Sequence, residues 1–132
     1  MKKIAFITTN KLLGEGLQST IEASSIRNIE FILLLNPKQV ILDAKVLEID
    51  VALVDMTFSE SKYQKDLQND LKCLLCDQIS THLPKCRIIL LVSQHDKVNR
   101  NIALQAKQEN KIDDFVFYDS SLKYLIAKLS TI

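Results

Sequence analysis

"DVALVDM", residues 50–56, sets four consecutive apolar side chains, Val51 to Val54, between two aspartates. A strand with one solvated face alternates polar and apolar residues, whereas a run apolar at every position suits a strand covered on both faces, as in a parallel sheet between helices. Similar runs recur at "KIAFIT" (3–8), "IEFILLL" (29–35), "CRIILLV" (86–92) and "DFVFY" (114–118), with longer helix-like stretches between them. Five strands alternating with five helices predict an α/β fold, a three-layer, doubly wound, five-stranded parallel sheet.

The 132 residues predict one domain, 1–132, large enough to bury a core without disulfides or metals. Hydrophobic residues make up 47% and charged residues 25%, the balance of a globular protein rather than a disordered or fibrous one. Seventeen basic and sixteen acidic side chains give a net charge of +1. No lysine and arginine stripe is long enough to hold a nucleic-acid backbone, so this domain itself is not expected to bind DNA. The opening "MKKIAFITT" has too short an apolar run for a signal peptide and reads as a strand; nothing later approaches a membrane span. Three cysteines in a chain read as leaderless predict a reducing, cytoplasmic location.

Two helices show their ends in the sequence. Asn36 before Pro37 is a cap and first-turn pair, after which Val40, Ile41, Ala44 and Leu47 share a face. Leu122, Leu125, Ile126 and Leu129 recur at helical spacing behind Asp119 and Ser120, either of which is a suitable cap. The longest connection, 57–85, reads mostly as a helix from near Lys62.

Both glycines lie in "TTNKLLGEGLQST", residues 8–20, behind the first apolar run. A dinucleotide fingerprint needs its first glycine in the turn directly after the strand. Gly14 instead falls after the helix carrying Leu12, Leu13 and Leu17 has begun, Ser19 occupies the third fingerprint position, and the P-loop lysine-hydroxyl pair is missing. A glycine inside a helix costs roughly 0.5–1 kcal/mol relative to alanine, so both are expected to pack against the sheet.

Cys73, Cys76, His82 and Cys86 stand at spacings close to a zinc knuckle. Leu67, Leu71, Leu74, Leu75 and Ile79 form a helical stripe through the same segment. At about 100° per residue, Cys73 points opposite His82, which falls on the apolar face, so one ion cannot collect both. A structural role is expected for the cysteines, no metal site is predicted, and His95 reads as a solvated loop residue.

The order of elements resembles the receiver (CheY-like) domains of two-component response regulators, in which the aspartate closing the third strand accepts a phosphoryl group. That position is Asp55. "LLGEGLQSTIE" looks like the first helix of the NarL/FixJ (LuxR-type) subfamily, and "FVFYDSSLKYLIAKL" is similar to its last strand and helix. The resemblance covers essentially the whole chain and implies a flavodoxin-like (βα)5 fold with strand order 2-1-3-4-5. It also makes Gly16 a helix position rather than part of a phosphate loop.

The resemblance implies a site that has degenerated. The family holds Mg²⁺ with an acidic pair after the first strand, and the matching positions are Thr8 and Thr9. The family's lysine at the end of the fifth strand falls on Tyr118, and "MTFSE" replaces the usual residues behind the acceptor. Asp55, Ser93 at the switch hydroxyl position and Phe115 at a switch aromatic position match. An acyl phosphate needs a metal to neutralise donor and product and a cation to stabilise the added charge. The expectation is therefore a phosphorylation-independent signalling and dimerisation module of a bacterial transcriptional regulator. It would be neither an enzyme nor dependent on a cofactor, and would form a homodimer through its fourth and fifth helices, within Lys97 to Leu129. The family's DNA-binding helix-turn-helix domain is not in this chain, so DNA would be reached only through such a domain. Two rivals are a weakly phosphorylated, Mg²⁺-dependent receiver at Asp55 and a flavodoxin-like nucleotide- or flavin-binding enzyme domain using "TTNK".

Overall fold

The computed structural model describes residues 2–24, 28–56, 75–117 and 120–132. Strand β1 (Lys2–Ile7) leads to helix α1 (Lys11–Ala23), β2 (Ile29–Leu34), a 3₁₀ turn (Pro37–Gln39) running into α2 (Val40–Leu47), and β3 (Val51–Asp55). Residues 75–82 are helical and form the described part of α3. Then follow β4 (Arg87–Val92), α4 (Lys97–Gln108), β5 (Asp114–Phe117) and α5 (Leu122–Thr131). All strands are parallel, in the order β2-β1-β3-β4-β5. This is the flavodoxin-like, CheY-like arrangement expected from the sequence.

The central strand is β3, and every one of its residues is buried. Its alternate side chains feed two cores. Ala52 and Val54 join Val40 and Ala44 of α2, Cys76 and Ile79 of α3 and Ala103 of α4. Val51 and Leu53 join Leu17 and Ile21 of α1 and Leu125 and Leu129 of α5. Burying each Val, Leu or Ile is worth about 1.5–3 kcal/mol, which makes the consecutive apolar run the main determinant of the three layers.

Polar residues close the edges of this frame. Lys2 Nζ donates to the carbonyls of Leu129 (3.3 Å) and Ser130 (3.2 Å) at the end of α5, and Lys3 Nζ donates to Leu47 O (3.0 Å) at the end of α2. The two opening lysines thus satisfy helix C-termini, where positive charge is favoured. Asp50 accepts from the Lys3 amide and Asp113 from the Ile88 amide, both at 2.8 Å, fixing where neighbouring strands begin.

Three sequence expectations need correction. The cap of α5 is Ser121, whose side chain accepts from the Tyr124 amide, rather than Asp119 or Ser120. His82 is exposed, because the inward positions at the end of α3 belong to Ile79 and, one turn later, Leu83. Gly14 does pack on the sheet, where an added Cβ would lie 3.1 Å from Leu33 Cδ2, but a Cβ on Gly16 would meet no other described residue within 4 Å. Asn36 behaves as expected, capping the turn that leads into α2.

Candidate functional site

The carboxyl ends of β1, β3 and β4 meet at one rim of the sheet, the position at which open α/β folds place their sites. Asp55, the last residue of β3, is 1% exposed, and Thr8, directly after β1, is 0% exposed. The Thr8 hydroxyl donates to Asp55 Oδ2 at 2.6 Å. The Asn10 amide donates in turn to Thr8 Oγ1 at 3.0 Å, and Asn10 Oδ1 caps α1 by accepting from the Leu13 amide at 3.1 Å. A backbone turn, a hydroxyl and a carboxylate therefore form one chain of donors from the start of α1 to the end of β3. Hydrogen bonds to a charged acceptor are the stronger kind, worth about 1.5–3 kcal/mol net.

Thr9, the neighbour of Thr8, is exposed. The described residues at the rim do not fit a Mg²⁺ site. That ion prefers several oxygens in an octahedral shell, and carboxylates supply most of the charge that draws it out of water. Here the position beside Asp55 is a neutral hydroxyl whose proton already points at the carboxylate. Among the described residues no group of three His, Cys, Asp or Glu side chains could hold a metal ion. Of the "TTNK" groups, the Thr8 hydroxyl is engaged on Asp55 and Asn10 Oδ1 on the start of α1.

Ser93, one residue beyond β4, is half-buried, and its Oγ accepts from the His95 amide at 3.3 Å while its carbonyl accepts from the Asp96 amide at 3.1 Å. This is turn chemistry leading into α4, whose cap is Asp96. Phe115 is half-buried on the α4 side of the sheet, in an edge contact with Phe117 (5.7 Å between centroids) and with Lys107 Nζ 5.8 Å from its ring centre. The Thr8–Asp55 contact thus unites two of the sequence-predicted residues, whereas Ser93 and Phe115 serve a turn and a helix contact. Tyr118 lies outside the described residues. So does Cys73, and of the other suspected metal ligands Cys76 is buried and Cys86 half-buried, with its thiol pushed up to about 11 by burial and then by Asp50.

One residue of this rim escaped the sequence reading. Asn99, in the first turn of α4, is 5% exposed. Its Nδ2 donates to Met56 O and to Asp96 Oδ2, each at 2.9 Å, which ties α4 to the residue following Asp55. Its Oδ1 is buried without a partner among the described residues. The spacing Asp96-x-x-Asn99 was a legible cap signature, but the reach to Met56 depends on how α4 crosses the sheet.

No family model matches the sequence, and no curated protein matches it. Solved structures do. The N-terminal domain of the nisin resistance regulator NsrR, a lantibiotic response regulator, superposes with a TM-score of 0.74 at 21% identity, covering 100% of this chain and 97% of that one. The chain has the receiver-domain fold. RcsB from Salmonella enterica serovar Typhimurium, solved bound to the promoter rprA in the presence of phosphomimetic BeF₃⁻, gives 0.73 at 16% identity over 98% of this chain and 67% of that one. A putative pilus assembly protein from Burkholderia thailandensis gives 0.71 at 11% identity over 99% and 97%. At such identities the likeness speaks for the fold, and the pilus protein illustrates that one fold serves several roles.

Proposed function

We propose that this chain is a degenerate receiver, a signalling and dimerisation module that works without phosphorylation in a bacterial transcriptional regulator of the NarL/FixJ (LuxR-type) kind. The carrying observation is the buried hydrogen bond from Thr8 to Asp55 Oδ2 at 2.6 Å. A hydroxyl stands where the receiver pattern expects a metal-binding acid, and it donates to one of the two carboxylate oxygens of Asp55. Phosphoryl transfer relies almost wholly on positioning and on neutralising charge, so a site lacking both the acidic pair and the lysine loses most of its driving force. The fold's outer surfaces are untouched by that loss. Val98, Leu104 and Tyr124 are exposed on α4 and α5, the face expected to make contacts. DNA would be reached through a separate domain, as the promoter-bound RcsB structure encourages.

Amide NMR spectra recorded before and after Mg²⁺ with beryllofluoride, and repeated with Asp55→Asn, test this directly. The expected result is an unchanged spectrum. Shifts around Asp55, Ser93 and Phe115 that vanish in the variant would instead establish a working phosphoacceptor.

A further inference from the structure

Gly16 is the residue of α1 that its own chain does not explain. It sits mid-helix, where glycine is a poor choice, its φ is not positive, and a Cβ there would meet no other described residue within 4 Å. The missing side chain leaves open a groove of about 450 Å³ between α1 and α5. Leu17, Leu91, Phe117 and Leu125 line it, at the end of the sheet where β4 and β5 finish. Leu12, one turn before Gly16, lines it too and is 83% exposed.

The size falls within the roughly 300–1,000 Å³ of sites that take small molecules, and the lining is mostly apolar, as such sites are. The chemistry of the walls narrows what that molecule is. No charged side chain is among the described residues lining the groove, and Lys11 and Glu15, the neighbouring charges on α1, answer each other at 3.8 Å. An ion entering it would lose water and gain no partner, so the occupant is uncharged. Two hydroxyls line the groove. That of Thr20 donates to Gly16 O at 2.9 Å and is satisfied within the helix. That of Ser120 makes no hydrogen bond among the described residues, so it can give or take one. Phe117 offers a ring to stack on, and the bare Cα of Gly16 lets a flat ring lie close to the helix backbone. We infer that the α1–α5 groove binds a small, uncharged aromatic molecule with one hydrogen-bonding group, its ring over Gly16 and its polar end at Ser120. This goes beyond the reading of the chain as a contact module and gives that module an input which needs no phosphoryl group.

A fluorescence titration of the full chain with N-phenyl-1-naphthylamine tests it, the probe being uncharged, aromatic and equipped with one N–H. Saturable binding of one probe per chain is expected at low micromolar protein. Gly16→Leu, which fills the groove, should weaken it about tenfold or more. Gly16→Ala guards against misreading a folding defect, since it should raise the melting temperature while weakening the probe; a merely helical role for Gly16 would leave the probe's affinity unchanged. Ser120→Ala should lower the affinity as well. 1-Anilinonaphthalene-8-sulfonate, the same molecule with an added sulfonate, should bind at least about tenfold more weakly, and equal affinity overturns the chemistry assigned to the groove. No saturable binding, or binding indifferent to Gly16→Leu, overturns the site. Affinity that falls as the chain is concentrated towards millimolar gives the groove to a second copy instead, and overturns it too. Asp55→Asn should bind the probe as wild type does. A chain that responds to beryllofluoride and still binds the probe therefore keeps this site and loses phosphorylation independence, whereas one that does neither loses the site alone.

Discussion

Gly14 and Gly16 are two residues apart and answer to different constraints. Gly14 lets α1 approach β2, with Leu33 Cδ2 at 3.1 Å from the position of a Cβ, so Gly14→Ala must push that side chain aside. Gly16 faces open space. Gly16→Ala is therefore expected to stabilise the isolated chain by roughly 0.5–1 kcal/mol in urea melts at low concentration, and Gly14→Ala to return less than that. Thr8 is the other residue whose chemistry can be isolated. Thr8→Val keeps the volume and removes the proton that Asp55 Oδ2 accepts. A loss of about 1.5–3 kcal/mol is expected, the worth of a buried hydrogen bond to a charged group; a loss below a few tenths would mean that the contact does not hold Asp55. The sequence already placed Thr8 in one site with Asp55, through the receiver resemblance. That Gly14 meets Leu33 was not legible, because Leu33 reaches it only through strand register.

At the scale of elements, α4, β5 and α5 are joined by one carboxylate. Asp114, at the start of β5, accepts from Lys107 of α4 at 3.0 Å and pairs with Lys128 of α5. Burial works to raise its pKa, but the hydrogen bonds from Lys128, Lys107 and the Phe115 amide outweigh it and leave the carboxyl below its ordinary 3.8. The sign follows from linkage. A carboxyl depressed in the folded state contributes stability that is complete above its unfolded pKa and is lost as pH falls through the folded one. Asp114→Asn is thus expected to cost about 0.5–1 kcal/mol at neutral pH, the lysines being partly solvated, and the gap to wild type should close below pH 3.8. Denaturation at a series of pH values checks it; a gap that persists in acid would point to packing. The helices themselves were largely legible, since Asn36 and Leu125 carry local cap and periodicity signals. The cap at Ser121 and the exposure of His82 were not, because helix ends shift by a residue according to which side chain the core accepts.

Across the whole molecule, a receiver-like fold surrounds a rim in which Thr8 and Thr9 stand at the positions of the expected acidic pair. If the two threonines are what separates this chain from a metal-binding receiver, putting acids back should return Mg²⁺ dependence. The double variant Thr8→Asp, Thr9→Asp is expected to be less stable than wild type without Mg²⁺, through carboxylate repulsion at Asp55, and to gain stability as Mg²⁺ is added. At about a hundred times the dissociation constant the gain would be roughly 2.7 kcal/mol. Wild type should show no such rise in melting temperature; if it does, the rim still binds the ion.

By itself the sequence determined the layers and the strand count, since four apolar residues in a row at Val51 to Val54 demand cover on both faces wherever they lie. Set against the receiver pattern, it also puts two threonines where an acidic pair is expected, and a threonine cannot carry a carboxylate's charge in any fold. Only the tertiary structure decided that the Thr8 proton goes to Asp55, that Asn99 reaches Met56, and that Gly16 opens a groove instead of packing on the sheet. The reason is physical: periodicity and composition are local properties of the chain. A hydrogen bond across 47 residues, such as that from Thr8 to Asp55, exists only once strands are paired in register and helices have settled over them.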